Sequence, residues 1–408
     1  MAMKLMKAFI SLEDGMRILL DCVTPITRQE RIGLLEATGR VLAEPIVASM
    51  SVPPFPRAAM DGYAVIAEDT FGAGNFTPVR LTLVEVIHAA DIAEREVTRG
   101  TCIQVATGSP IPKGVDAVVQ VEDTELEGDS GQAEKVKIYK PVYPRQNVSP
   151  QGEDIQAGRE VLSAGTRLDP SKIGVLAALG ITQVPVFAKP TVAVIPSGNE
   201  IVSPGDPLEP GKVYDINSYT LAALIQERGG IPRLFPIMKD TLEDVRRTLC
   251  EALACDLTVL SGGSSVGERD VMVEAVESLG EVKFHGIAVK PGKPTLCGVI
   301  QGKLILGMPG YPTSCLTNGY GLLVPVLRKL ARLPESRTSG VQLPMSRRYT
   351  STIGRHQYLP VRVEGGEVVP AFKESGAITS MADAEGYIEI PANVDLVEKG
   401  EPVLVKFF

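Results

Sequence analysis

At 408 residues the chain is longer than one hydrophobic core ordinarily serves, so roughly two to four domains are expected. Apolar residues make up 44% and charged residues 22%, which fits globular protein and excludes a disordered chain. A formal charge of -8, no Trp and only 5% aromatics exclude a nucleic-acid-binding surface, while leaving room for a local cationic pocket for one small anion.

The first stretch, MAMKLMKAFISLEDGM, is too acidic and too short in its apolar run for a signal peptide or membrane helix. No later stretch exceeds a buried strand or helix, so a cytoplasmic protein without membrane contact is expected. In SLEDGMRILLDC (11–22), Ser11 and Asp14 stand at capping-box spacing ahead of an apolar stripe of Met16, Leu19 and Leu20, which predicts a short surface helix. Residues 31–47 read as extended segments around a turn at Thr38-Gly39. From Pro53 to about Pro144 the texture is β, with alternation in VRLTLVEVIHAA and KVKIYKPV and Gly/Pro punctuation in TGSPIPKGVDAVV. Helical character returns in PSKIGVLAALG, within 152–179, so the first domain is expected to resume after an inserted β domain.

Residues 190–330 change character. Apolar strands at 191–195, 257–260 and 304–306 alternate with the helical runs SYTLAALIQERGG and TLEDVRRTLCEALAC, predicting a doubly wound, largely parallel sheet. From Leu333 to Phe408 short strands and turns return without a convincing helix, and a terminal β-barrel is expected. The fold class is multidomain α/β plus β. The expected division is 1–50 with 146–187, 51–145, 188–332 and 333–408. Cys22, Cys102, Cys250, Cys255, Cys297 and Cys315 form no C-x-x-C pair, and His88, His285 and His356 lie far apart. Buried thiols are expected rather than a zinc site or disulfide scaffold.

Each apolar strand runs into a loop suited to close backbone approach. These are Pro196-Ser197-Gly198-Asn199-Glu200, then Ser261-Gly262-Gly263-Ser264-Ser265-Val266-Gly267-Glu268-Arg269-Asp270, then Met308-Pro309-Gly310-Tyr311-Pro312-Thr313-Ser314. In open α/β sheets ligands bind beyond the carboxyl ends of the strands, where glycine lets backbone N–H groups reach an anion. SGGSSVGERD lacks the Gly-Lys-Ser/Thr of a P-loop and the G-x-G-x-x-G spacing, which disfavours an NTPase or a nicotinamide site. The plain alternative for any one such loop is a tight strand-to-helix turn.

Lys290-Pro291-Gly292-Lys293-Pro294 puts two ammonium groups on a stiffened loop, suited to a phosphate or an oxyanion such as molybdate, or simply to two solvated lysines in a turn. Glu200, Asp240 and Asp270 could converge as hard oxygen ligands for Mg²⁺, although Asp240 and Asp270 also suit helix caps. No Ser/His/Asp or Cys/His constellation is evident, so catalysis by positioning and electrostatics is expected.

Together these segments resemble the MoeA/gephyrin-E family of molybdopterin molybdenumtransferases over nearly the whole chain. The resemblance rests on Pro53-Pro54-Phe55 leading into Met60-Asp61-Gly62-Tyr63-Ala64-Val65, on Ala106-Thr107-Gly108-Ser109-Pro110-Ile111-Pro112, and on SGGSSVGERD, KPGKP and GMPGYPTS in the family's order. It implies an elongated homodimer of four-domain subunits, the third domain MogA-like and the last a β-barrel. It also implies insertion of molybdate, or tungstate, into adenylylated molybdopterin with release of AMP and with Mg²⁺ as cofactor. The cleft would lie between the third domain of one subunit and the β domain of the other, so that Asp61 and Thr107 reach it from the partner subunit. Read alone, both fit turn chemistry.

Glu200, Asp240, Asp270, Lys290 and Ser375 fall on the family's functional positions, Lys293 belongs to the same motif, and Ser380 shares ESGAITS with Ser375. Molybdopterin adenylyltransferase and molybdoenzymes are the implied transfer partners. The chain departs from the family at Ala58 (commonly Ser), at Asn199 (commonly Asp) and at Tyr311 (commonly Asn), and lacks a basic residue near Phe284-His285-Gly286. Those changes bear on metal preference and substrate affinity. The rival readings are a molybdopterin adenylyltransferase using ATP, a receptor-clustering scaffold, which would want a long linker and a fused domain, and an inactive pterin-binding paralogue.

Overall fold

The computed structural model describes residues 9–128, 134–262, 271–334 and 340–408. Contacts divide the chain into two units, Ile32–Thr38 with Glu44–Val184, and Met1–Arg31 with Gly39–Ala43 and Pro185–Phe408.

The smaller unit carries a six-stranded sheet in the order Ala117–Gln120, Gly62–Val65, Thr101–Val105, Val79–Ile87, Lys135–Ile138, Thr124–Glu127. The pairs are antiparallel except Val79–Ile87 with Thr101–Val105. Successive side chains alternate between two apolar clusters, Tyr63 and Val65 in one and Ala64 in the other, so both faces of the sheet are covered. Gly62 permits the close pairing, since a Cβ there would stand 1.9 Å from the Val119 carbonyl oxygen. One local expectation is corrected and one is met. A 3-10 turn at Leu34–Ala37 interrupts the extended reading of 31–47, whereas PSKIGVLAALG carries the expected helix, Pro170–Ala178, started by Asp169 accepting from Lys172 N–H. A four-residue 3-10 turn such as Leu34–Ala37 carries too few residues to show a period.

In the larger unit the mixed sheet runs Ile231–Leu234, Thr191–Pro196, Leu257–Ser261, Lys303–Met308, Leu296–Ile300, Glu281–His285. The first four are parallel; three of them are the expected apolar strands, and Ile231–Leu234 adds a mostly exposed edge strand. Leu296–Ile300 runs antiparallel to both of its neighbours, Lys303–Met308 and Glu281–His285. Gln301 (φ 50°) and Gly302 (φ 76°) form a two-residue hairpin turn between Ile300 and Lys303, which can only join antiparallel strands. Helices cover both faces. Leu221 and Ile225 of Asn217–Glu227 pack in one core, and Val245 and Leu249 of Leu242–Ala252 with Met272 and Val276 of Val271–Leu279 pack in the other. The helix Leu12–Asp21, capped by the Ser11 hydroxyl on Asp14 N–H, buries Leu19 completely in the first core.

The C-terminal strands close on themselves. Glu367–Pro370 pairs with His356–Glu364, which pairs with Gly386–Ile390, then Pro402–Phe407, then Gly340–Pro344. A bridge between Met345 and Val368, with Ser346 N–H donating to the Val368 carbonyl (2.9 Å), returns the ring to its start. Leu359, Val361, Ile388 and Val405 fill it. One helical turn, Thr379–Ala382, interrupts a region expected to have none. Among the described residues no helix is long and apolar enough to cross a membrane. All six cysteines are free thiols, four of them buried, and the fold brings Cys22 and Cys297 into contact although no sequence spacing pairs them.

Candidate active site

Three parallel strands end side by side, with Pro196 in register with Ser261 and Ser261 with Met308, so their loops share one edge of the sheet. Gly262 (φ +88°) lets them close up, because a Cβ on it would stand 2.3 Å from the Ser197 carbonyl oxygen. Ser197 N–H donates to the Ser261 carbonyl (2.9 Å), and Asn217 Nδ2 donates to the Gly310 carbonyl (2.8 Å), fixing the third loop.

Over these tips lies a cleft of about 900 Å³. Of the residues singled out in the sequence, Ser197, Glu200, Gly262, Lys290, Lys293, Pro309, Gly310, Pro312, Ser314 and Ser375 line it. Gly198 does not, but the Glu200 carboxylate folds over it, within 2.8 Å of where a Cβ would be. Gly263, Ser264, Ser265, Gly267 and Asp270 lie outside the described residues. Ser380 is fully buried and accepts from Lys373 N–H (3.0 Å), the structural role of the two it could have had.

One wall is acidic. Asp240 receives a hydrogen bond from the Asn199 backbone N–H and feels the charge of Glu200. Partial desolvation, then the Glu200 carboxylate, push the Asp240 pKa above the usual carboxylate range even though much of its side chain stays exposed. Among the described residues no cluster of three or more metal-ligating side chains occurs.

Another part of the lining is cationic, with Lys290 and Lys293, and its construction differs from the expected loop. Val289–Lys290 is a short strand laid parallel on the C-terminal sheet, pairing Val289 with His356 and Lys290 with Gln357. Lys290 Nζ donates to Thr352 Oγ1 (2.9 Å). Desolvation, then the nearby Arg355, lower its pKa from the ordinary lysine value. Lys293 Nζ sits 4.1 Å from the centroid of the Phe9 ring, a cation–π contact that fixes it beside the cleft. Asn318, fully buried, holds the turn by donating to the Gly292 carbonyl (3.0 Å) and to Thr295 Oγ1 (2.9 Å). Thr352, Arg355, Phe9 and Asn318 escape sequence reasoning because each lies far along the chain from the motif it supports.

Asp61 and Thr107 belong to the smaller unit and form a pair of their own. Asp61 Oδ1 accepts from Thr107 N–H (2.6 Å) and from its hydroxyl (2.9 Å), and these bonds, the backbone one foremost, hold the Asp61 pKa below its ordinary value.

Residues 10–180 match the model of the MoeA N-terminal region (domain I and II), residues 193–329 the "Probable molybdopterin binding domain", and residues 342–408 the MoeA C-terminal region (domain IV). The molybdopterin molybdenumtransferase of Staphylococcus epidermidis is 33% identical over 88% of this chain and 86% of its own. Molybdopterin molybdenumtransferase 2 of Mycobacterium tuberculosis is 33% identical over 97% of this chain and 98% of its own. The chain belongs to the MoeA family. A crystal structure of the molybdopterin biosynthesis MoeA protein from Pyrococcus horikoshii covers 98% of this chain and 99% of its own at 41% identity, with a TM-score of 0.84. This MoeA-family chain is thus a transferase of molybdenum cofactor biosynthesis, with the expected α/β-plus-β fold.

Two departures from the MoeA pattern, Ala58 and Asn199, make backbone hydrogen bonds in the structure. Ala58 is buried, and it is its backbone that holds the Thr107 turn, through Ala58 N–H to the Ser109 carbonyl (2.9 Å) and Gly108 N–H to the Ala58 carbonyl (2.8 Å). Asn199 likewise acts through its backbone, giving N–H to Asp240 and accepting Lys212 Nζ on its carbonyl (2.6 Å).

Proposed function

We propose that the enzyme inserts molybdate into adenylylated molybdopterin and releases AMP. The observation that carries this reading is that Glu200, with Asp240 beside it, and Lys290, with Arg355 beside it, border one cleft over glycine-bearing strand tips. The phosphoanhydride would lie over the tips, with molybdate drawn to Lys290 and Lys293. Attack of a molybdate oxygen on the AMP phosphorus breaks the phosphoanhydride with the pterin phosphate as leaving group. The two dithiolate sulfurs then displace oxygen from the metal, so that AMP departs carrying the attacking oxygen and the sulfur protons leave with a second oxygen as water. Lys290 orients the oxyanion, and Ser375 on the facing loop limits its approach.

A resident Mg²⁺ suits the acidic wall, because two carboxylates that repel each other gain from a shared cation, and Asp270 is the proposed third ligand. When bound it would neutralise phosphoanhydride charge. The four-domain division, the homodimer, and the supply of Asp61 and Thr107 by a second subunit complete the proposal and rest on family resemblance. The test is mass spectrometry of the product formed from adenylylated molybdopterin with molybdate and tungstate in competition, alongside AMP release. A molybdenum-loaded pterin with stoichiometric AMP is expected. A tungsten-loaded product moves the reading to tungstate, whereas consumption of ATP with metal-free molybdopterin replaces it with adenylyl transfer.

A further inference from the structure

The apolar half of the cleft has no part in the anion chemistry above. Tyr311 is 65% exposed although its backbone is fixed, its carbonyl accepting Cys315 N–H (2.8 Å) at the start of the helix Pro312–Asn318. The ring lies against the Gly376 backbone, where an added Cβ would contact Cδ1 at 3.6 Å. That glycine loop is pinned to the same helix start, since Thr313 N–H donates to the Ser375 carbonyl (3.0 Å) and Thr313 Oγ1 to the Ala377 carbonyl (2.8 Å). The ring is therefore held from below and bare above. Val213, Tyr214 and Ile216, exposed by 52%, 39% and 36%, line the same cleft. Large apolar side chains presented together in a cleft mark a surface that a ligand covers.

We propose that Tyr311 is a stacking platform for a planar fused heteroaromatic ring of the substrate, with Val213, Tyr214 and Ile216 as the apolar wall beside it. This rests on the substrate class proposed above, which carries two such rings, adenine and pterin, and an anionic link between them. An amide at this position would offer hydrogen bonds but little area, whereas a phenol presents a π-face with few rotatable bonds to order. Tyr311 is a positioning residue in this scheme, setting ring affinity and leaving the anion to the cationic wall.

The test is isothermal titration of the whole protein with AMP, with neopterin and with inorganic phosphate, for wild type, Tyr311→Ala, Tyr311→Phe and Tyr311→Asn. Tyr311→Ala and Tyr311→Asn are expected to weaken at least one ring-bearing ligand about 10-fold. Tyr311→Phe stays within about twofold, and phosphate is unchanged in all four. Whichever of AMP or neopterin responds names the ring. The proposal is overturned if wild type binds neither ring-bearing ligand, if both bind Tyr311→Ala as tightly as wild type, or if phosphate weakens in parallel with them. Failure of molybdate insertion by wild-type enzyme would strike the proposed reaction instead, because ring binding is read without turnover. Thermal unfolding of Tyr311→Ala should match wild type, as the ring is mostly solvated.

Discussion

The acidic and cationic walls of the cleft are built by opposite means and arrive at the same electrostatic state. The acidic wall hangs from the tips of a parallel sheet, where Gly262 and Gly198 let backbone and carboxylate close up. The cationic wall is a two-residue strand borrowed by the C-terminal sheet and braced by the buried Asn318 amide. Yet each holds a like-charged pair, Glu200 against Asp240 on one side and Arg355 against Lys290 on the other. Repulsion of that kind is relieved by a change of protonation or by a ligand of the opposite sign, so at a pH where both pairs are charged the cleft favours a cation beside Glu200 and an anion beside Lys290.

The largest effect should come from removing the central cation. Lys290→Ala is expected to lower kcat/KM for AMP release about 10²- to 10³-fold, as for loss of a preorganised charge at a reacting anion. A loss under threefold would remove Lys290 from the chemistry. On the other wall, Glu200→Gln is expected to cost about 10²-fold and to recover in part as Mg²⁺ is raised, since the deficit there is cation affinity. Absence of any Mg²⁺ response would separate the acidic wall from metal binding.

The construction itself can be probed by glycine replacement. Gly262→Ala places a Cβ 2.3 Å from a backbone oxygen at positive φ, with no flexible group to yield, and should destabilise the fold by about 3 kcal/mol in urea denaturation. Gly292→Ala, also at positive φ (+108°), meets the Asn318 amide at 2.4 to 2.7 Å rather than a backbone oxygen, and a side chain can turn aside at the expense of its hydrogen bonds, so about 2 kcal/mol is expected. Equal losses would mean that the two walls are not built differently after all.

Those two glycines also mark the limit of what the sequence discloses. The strand-tip site was legible because a buried parallel strand is a continuous apolar run, and the loop beyond it is forced to the sheet edge. Lys290 was legible as a charge but not as a strand, since a pairing of two residues with His356 and Gln357 leaves no periodic trace. Arg355 and Phe9 were invisible for the same reason. Nothing local in Gly-Arg-His or Ala-Phe-Ile announces that the fold will bring either one to a lysine of the KPGKP motif. The base of the sheet hides a comparable tie, where Asp256 accepts Arg28 on both oxygens (2.7 and 2.8 Å) and Thr191 N–H and Oγ1 at 2.8 Å each. Burial alone would raise the Asp256 pKa, but those bonds outweigh it and hold it low. Its stabilising effect is then present above the ordinary carboxylate pKa and lost as pH falls through the folded value. Asp256→Asn should cost about 2 kcal/mol at neutral pH, a gap that narrows in acid.

The smallest effects separate the walls most cleanly, because each like-charged pair sets one limb of the pH profile. Asp240 is raised, so the ionised acidic wall is lost at a higher pH than an ordinary aspartate would dictate as the medium is acidified. Lys290 is lowered, so the cationic wall is lost earlier than for an ordinary lysine as the medium turns alkaline. Arg355→Gln removes the like charge beside Lys290 and should move the alkaline limb of kcat/KM upward while leaving the acid limb in place. Glu200→Gln should do the reverse, moving the acid limb downward and sparing the alkaline one. Measured across the full profile, a substitution that moved both limbs together would show the walls to be one coupled network rather than two independent halves.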